Sequence, residues 1–377
     1  MTSTRSLKLG ELKSLDIRQF SSGTFPRCSG NESGGLLTMP GEEETGTMGS
    51  SFISPRNIAI FVIISMIVFG LIGMYGDPVL VFQALSAIPW YWVLPVMMAL
   101  SFLNYIFRYF KWQYFLKKLD VDLGHRDSFS IFLAGFTLTT TPGKIGEAVK
   151  GYFVQAIEGT PVVKTIPIVV SERVTDLLAI VILALVGFTL GVNTGDQLLT
   201  VLILGGAVLG GAIVIGSKTF YRKFLSKMTS FGPLKRFHES VDIIEDTMTK
   251  TLSPKPMLAS TVISIPGWFM ECLELWLLLS ILSGAPLSIS LLLIATFIHA
   301  TASIIGALTF SPGGVGTYEV TSLALIPLLL GVSGTIASAA TILIRVMTLW
   351  FSVIVGFIAL SIVTRRAGQV AKETQQA

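Results

Sequence analysis

The sequence predicts an all-α, polytopic helical membrane protein with an antiparallel internal repeat and two broken or re-entrant helical segments. Three observations lead there. Of the 377 residues 51% are hydrophobic and only 13% charged, a balance that would leave a soluble chain with large exposed apolar patches. Several apolar runs approach or exceed the ~18–20 residues that cross a hydrocarbon core of about 30 Å, and the charge-free run Asn57–Gly76 is the clearest. One phrase also recurs. TPGKIGE at Thr141–Glu147 and SPGGVGTYE at Ser311–Glu319 each break an apolar segment with proline, glycine and charge.

In chain order, residues 1–54 are polar and rich in Gly, Ser, Thr and Glu, and are expected to form a disordered tail. They lack the short apolar core of a secretory signal, and Met48 offers a second candidate start just before the first span. Residues 55–366 form the transmembrane domain, and 367–377 a C-terminal tail. Spans are predicted at 57–76, 88–107, 163–191, 197–216, 257–283 and 334–363. Segments 128–157 and 287–331 are apolar, broken by the Pro-Gly phrase, then apolar again. Repeat A covers about 88–191 and repeat B about 257–363. The span at 197–216, with its Gly206/Gly210 pair, and a basic amphipathic segment at 217–256 link them.

Lys and Arg set the orientation. Arg108, Lys111, Lys117, Lys118 and Arg126 follow the second span. The 217–256 segment is basic, and Arg365, Arg366 and Lys372 end the chain. All three stretches are expected in the cytoplasm, as are both termini. GMYGDP, GVNTGDQ and LSGAPLS carry no basic residue and are expected outside. By parity, 128–157 enters and returns on the cytoplasmic side and 287–331 on the outer side, as hairpins or as pairs of crossings.

The two halves match in more than the phrase. Arg173 follows Pro142 by 31 positions and Arg345 follows Pro312 by 33, each within an apolar span. The first of these spans runs outward and the second inward, so the repeats are antiparallel, an arrangement common in secondary transporters. Thr141 and Ser311 suit an N-cap, and Pro142 and Pro312 suit the first helical position. Each phrase is expected to start a helix inside the membrane, with free N–H groups and a partial positive charge. Gly143, Gly146, Gly313, Gly314 and Gly316 let a ligand approach that backbone, and two converging helix ends suit a phosphate or carboxylate. A tight turn closing a packed hairpin explains the same residues.

Charges inside spans are expensive, at roughly 2.5–3.5 kcal/mol each on insertion scales. Glu172, Arg173, Asp176, Glu271, Glu274 and Arg345 therefore face the interior, pair, or line a wet cavity. The arginines suit a phosphate, because guanidinium stays charged and binds oxyanions bidentately. A structural lattice of Arg173 with Asp176, and Arg345 with Glu271 or Glu274, is the alternative. A spare carboxylate can bind a cationic headgroup or carry a proton. Lys144, Glu147 and Lys150 follow the first phrase and Glu319 the second, which makes the inner gate the more basic. His299 and Asn104 read as interhelical hydrogen bonders. Three scattered histidines give no metal spacing, Cys28 and Cys272 no disulfide framework, and no phosphate loop occurs. No catalytic residue, metal or cofactor is expected.

These residues resemble the flippase-like family built on the lysylphosphatidylglycerol synthase transmembrane region, over about residues 57–365. The carriers are GFTLTTTPGKIGEAVKGY at 135–152, SERVTDLLAI at 171–180 and SPGGVGTYEVTSLALI at 311–326. Lys144 and Lys150 stand where arginine is common in the family. The resemblance implies translocation of an aminoacylated phospholipid, or of a lipid-linked anionic headgroup such as a polyprenol-linked sugar. The expected substrate-binding set, from the two phrases, the intramembrane charges and this resemblance together, is Thr141, Pro142, Gly143, Lys144, Gly146, Glu147, Glu172, Arg173, Asp176, Glu271, Glu274, Ser311, Pro312, Gly313, Gly314, Gly316, Glu319 and Arg345. A stand-alone member without the synthase domain is expected, hence no synthase activity. The plasma membrane is the expected location and a lipid synthase or glycosyltransferase the expected partner, with no nucleic acid. An integral-membrane enzyme acting on lipid phosphates, or a non-catalytic partner of a lipid synthase, is the alternative function.

Overall fold

The computed structural model describes residues 55–141, 147–192, 206 and 241–376. The predicted tail 1–54, Pro142 to Gly146 of the first phrase, nearly all of the 197–216 span and the 217–240 part of the basic segment lie outside the described residues. The chain divides into two compact units, 1–64 and 65–377, and the helical bundle from residue 65 onward is the second.

Every regular element among the described residues is helical. Six helices are long and apolar enough to cross a membrane, or seven counting one sharply bent pair. That pair is α1 (Pro55–Tyr75) and α2 (Pro78–Ser86), whose arms Met66–Tyr75 and Pro78–Ser86 meet at 97°. The bend falls in GMYGDP, expected from the sequence to be a plain loop between spans. Pro78 occupies the first turn of α2, and Asp77 caps it by accepting from the Val79 and Leu80 amides at 3.0 and 3.3 Å. Gly76 has no room for a side chain there, because a Cβ would lie 2.6 Å from Ser338 Oγ.

α3 (Trp90–Lys118) is 29 residues long and runs well past the predicted end at 107. Arg108 and Lys111 therefore belong to the helix rather than to a loop, and are only 7% and 1% exposed. Within 128–157 two helices are described, on either side of residues 142–146. α4 (His125–Ala134) tightens into a 3-10 turn at Gly135–Leu138, and the chain resumes as α5 (Val149–Glu158). α5 ends at Gly159 in the left-handed region (φ 89°) that glycine adopts freely. α6 (Val162–Gly191) follows, and then, past the undescribed stretch, the short amphipathic α7 (Val241–Leu252).

α8 (Pro254–Ser283) leads into α9 (Ile289–Leu308), capped by Ser288, whose hydroxyl accepts from the Leu291 amide at 3.2 Å. The second phrase then forms a 3-10 turn, Pro312–Gly314, and α10 (Thr317–Leu330) starts only afterwards. The helix start predicted at Pro312 is thus displaced to Thr317. Gly313, Gly314 and Gly316 all have positive φ, which ends a helical path before α10 can begin. Ser311 caps no helix, and its hydroxyl meets those of Thr309 and Thr317 instead. α10 ends at Gly331, again left-handed (φ 64°). α11 (Gly334–Arg345), a π turn at Val346–Trp350 and α12 (Phe351–Gln376) make one long final helix.

α3 packs on α8, which also contacts α6, α9 and α11. α9 lies along α6, while α12 lies along α4 and its 3-10 turn. Glycine allows both of these approaches. A Cβ on Gly187 would lie 2.6 Å from the Phe297 nitrogen, and one on Gly356 would strike the backbone of Phe136 and Thr137. One apolar core joins the start of α3 to α8, α9, α10 and α11 through Val93, Met97, Leu278, Ile298 and Ile344. A second joins the end of α3 to α4, α5, α6 and α12 through Trp112, Phe132, Val154, Ile168 and Val363. Large apolar side chains such as Met66, Leu71, Leu258, Leu328 and Ile358 cover the outside, as suits a bundle solvated by hydrocarbon rather than water.

Candidate functional site

Ser101, Asn104, Tyr105, Arg108 and Lys111 recur on α3 at intervals of three and four, so one face of an apolar helix is polar for three turns. α6 and α8 present Glu172, Arg173, Asp176, Glu271 and Glu274 to it. Two separate charge clusters result.

The first lies among α3, α5 and α6. Lys111 Nζ pairs with Asp176 Oδ1 and also donates to Ser264 Oγ at 2.9 Å and the Glu172 carbonyl at 3.3 Å. Lys150 Nζ donates to Glu172 Oε2 at 2.6 Å and stands 4.6 Å from the Trp112 ring centre. Glu147, in the turn before α5, collects Thr139 Oγ1 (3.2 Å), Arg173 Nη2 (3.2 Å) and, more distantly, Arg108 and Lys150 (both 3.9 Å). Arg173 reaches Asp176 as well, at 3.4 Å. Four cations face three carboxylates among the described residues, leaving one surplus positive charge.

Exposure singles out one member. The Arg173 side chain is 23% exposed, whereas every other charged side chain of this cluster is 8% exposed or less. Its Nε is buried and without an acceptor among the described residues, and both of its ion pairs use Nη2. A guanidinium carries five donors, so Arg173 can hold Glu147 and Asp176 and still present N–H groups to a further anion.

The second cluster lies among α8, α9, α10 and α11. Arg345 Nε donates to Glu319 Oε1 at 2.6 Å and Nη2 to the Gly313 carbonyl at 2.7 Å, with the guanidinium 4.8 Å from the Tyr318 ring centre. Glu319 Oε2 accepts from the Gly316 amide at 2.6 Å, so a carboxylate of the chain itself already sits at the α10 N-terminus. Arg345 thus pairs with Glu319, not with Glu271 or Glu274 as the expected structural lattice had it. Glu271 bonds His299 Nε2 at 3.2 Å and Asn104 Nδ2 at 3.1 Å, and His299 Nδ1 bonds Tyr318 Oη at 2.9 Å. Glu274 Oε1 accepts from Ser101 Oγ at 2.6 Å.

Of the residues singled out from the sequence, Glu147, Glu172, Arg173 and Asp176 come together in the first cluster. Gly313, Glu319 and Arg345 meet in the second, beside Glu271 and Glu274. Thr141 Oγ1 donates back to the Leu138 carbonyl at 2.7 Å. Pro142, Gly143, Lys144 and Gly146 lie outside the described residues. Sequence reasoning missed Arg108 and Lys111, which it counted as loop charges, and Ser101 and Tyr318. The three-and-four spacing along α3 is the signal that finds the first three.

No group of three or more His, Cys, Asp or Glu side chains is placed to hold a metal ion among the described residues. Residues 57–356 match the model of the lysylphosphatidylglycerol synthase TM region. The chain is similar to a UPF0104 membrane protein of Methanothermobacter thermautotrophicus, 25% identical over 66% of this chain and 79% of that one. It is also similar to UPF0104 membrane proteins of Methanocaldococcus jannaschii (24% identical, 68% of this chain and 80% of the relative) and Pyrococcus horikoshii (24%, 65% and 79%). With four-fifths of its length inside one family model, the chain belongs to the family of the lysylphosphatidylglycerol synthase TM region.

Proposed function

We propose that this protein moves a phospholipid or lipid-linked anionic headgroup across the bilayer, without covalent chemistry, along a path between the two Pro-Gly breaks. The observation that carries the proposal is Arg173: among the described residues, the one appreciably exposed member of a buried charge network, with both of its ion pairs made through Nη2. An anionic headgroup that exchanged water for this site would meet a charge already paid for by Glu147 and Asp176 and held in place by them. Residues of the first phrase, Thr141 to Glu147, would border the headgroup on one side. Those of the second, Ser311 to Glu319, would border it on the other. Arg345 acts here as a brace, since its fork is committed to Glu319 and Gly313.

The path is read as an antiparallel repeat. Glu319, Gly331, Gly334 and Arg345 each lie 172 positions after Glu147, Gly159, Val162 and Arg173. Those positions hold, in the same order, a glutamate, a left-handed glycine cap, a helix start and the arginine that glutamate binds. The exchange of contacts, α9 on α6 and α12 on α4, supports the same symmetry. The first break enters from the cytoplasm, the second from outside, and a lipid synthase or glycosyltransferase in the same plasma membrane supplies the lipid.

The test is transport in vesicles. Purified protein is reconstituted with headgroup-labelled lysyl-phosphatidylglycerol, phosphatidylglycerol or a polyprenyl phosphate, and an external quencher reads how much label is protected. One lipid is expected to equilibrate. Arg173→Ala should slow it about tenfold or more, as loss of a charge-assisted hydrogen bond of ~1.5–3 kcal/mol implies, and Arg173→Lys should restore part. Movement no faster than in empty vesicles, for all three lipids, would sink the proposal.

A further inference from the structure

The two clusters differ in one respect that lipid binding does not use. In the first, every carboxylate has a lysine or arginine. In the second, Arg345 is committed to Glu319, and Glu271 and Glu274 share α8 one turn apart, with no lysine or arginine paired to either among the described residues. Glu274 is fully buried, and among the described residues its Oε2 has no hydrogen-bond partner and its Oε1 meets only Ser101 Oγ. A carboxylate held that way inside a membrane protein is expensive, whereas the neutral acid is not. Ser101 fits the neutral form, because its Oγ also lies 3.4 Å from the Met347 carbonyl. With Glu274 neutral, the bond that Ser101 otherwise donates to Oε1 reverses: the single Ser101 proton turns to that carbonyl and Ser101 accepts one from Glu274. Met347 belongs to the π turn, and such turns recur at functional sites.

Glu271 is the outlet. Its side chain is 13% exposed, and it joins Asn104 on α3 and His299 on α9, with Tyr318 of α10 behind the histidine. Tyr105 Oη and Asn104 Oδ1, on the facing side of α3, are buried without hydrogen-bond partners among the described residues. The surrounding titratable groups are few. Cys272 shares α8, Tyr105 lies within electrostatic reach of both glutamates, and His299 is the one such group on α9. On α3, Arg108 lies within electrostatic reach of Tyr105 and stands 3.9 Å from Glu147 of the first cluster. Glu319 on α10 is held by Arg345, the one such group on α11 and its π turn, and the charges of α6 near this depth are held in the first cluster.

We infer that Glu274, Glu271 and His299 form a proton-carrying site, through which lipid movement is coupled to a proton gradient. Glu271 takes a proton from the accessible side, and Glu274 holds it in the interior as a neutral acid. Release returns the same proton to water, with no other reactant. The coupling rests on the translocator proposal, whereas the proton site itself does not.

Two measurements test them separately. Infrared spectra of the protein in lipid vesicles read the carbonyl stretch of a protonated buried carboxyl. Wild type is expected to show one at neutral pH that Glu274→Gln deletes. If that substitution instead removes carboxylate bands, Glu274 is ionised and the proton site is overturned, whatever lipid does. The second measurement imposes a pH gradient with the membrane voltage clamped, and reads the final distribution of labelled phosphatidylglycerol. For one proton per lipid, a gradient of one pH unit sets a limit of about tenfold asymmetry, and Glu271→Gln and Glu274→Gln should bring it to unity. A wild-type distribution that ignores the pH gradient, or follows a sodium gradient instead, overturns the coupling. If no lipid moves under any condition, the translocator proposal fails, and the infrared result still decides the proton site.

Discussion

Lys111 has no exposed surface to speak of and three acceptors from two other helices: Asp176, the Glu172 carbonyl and Ser264. Truncating one partner of such a pair strands the other, at about 3–5 kcal/mol. Lys111→Met should therefore lower the melting temperature of the detergent-solubilised protein sharply, and so should Asp176→Asn. The double variant should recover part of the loss, because no unpaired charge remains. Additive losses in a double-mutant cycle would show that the pair is not a unit. At this scale the sequence was partly legible. Glu172, Arg173 and Asp176 stood out because charge inside an apolar run is costly. Arg108 and Lys111 did not, because the same cost, applied to each alone, ended the span before them. Pairing across helices removes the cost, and pairing is not visible along the chain.

Among the described glycines, Gly356 has the least room, where α12 meets the 3-10 turn after α4. A Cβ at Gly356 would strike the backbone of Phe136 and Thr137, which cannot rotate away as a side chain does. Gly356→Ala is expected to destabilise by roughly 1–3 kcal/mol, the usual range for overpacking. Gly368→Ala, with nothing within 4 Å of its Cβ, should stay within about 0.5 kcal/mol. Thermal unfolding of both in one detergent compares them, and equal melting temperatures would refute the close contact. The interruption at Pro312–Gly316 was legible, because proline and clustered glycine mark it whatever surrounds it. Where the helix resumes was not. Three positive-φ glycines delay α10 to Thr317, and glycine allows but does not require that conformation. The 97° corner at Asp77 was missed for a similar reason, since DP after glycine reads equally as a loop or as a capped helix start.

For the whole molecule, the constant interval of 172 residues makes a prediction about sidedness that single helices do not. A parallel duplication would place matched positions on the same membrane face, and an antiparallel one on opposite faces. Pro161 and Ser333 are such a pair. Each stands immediately before its helix, α6 or α11, and both are exposed. The chain contains two cysteines, Cys28 and the buried Cys272, so a Cys28→Ser, Cys272→Ala background leaves a single reporter at either position. With Pro161→Cys, a membrane-impermeant maleimide should label only after the cytoplasmic face is opened, and with Ser333→Cys it should label intact cells. Labelling of both from one face would overturn the proposed antiparallel repeat, and with it the proposed path between the two phrases. The charge clusters would remain, because Glu147 with Arg173 and Glu319 with Arg345 are bonded within their own halves. Arg173 would then have to serve the lipid from one side only, and the coupling of Glu271 and Glu274 to that movement would need a path that crosses no symmetry axis.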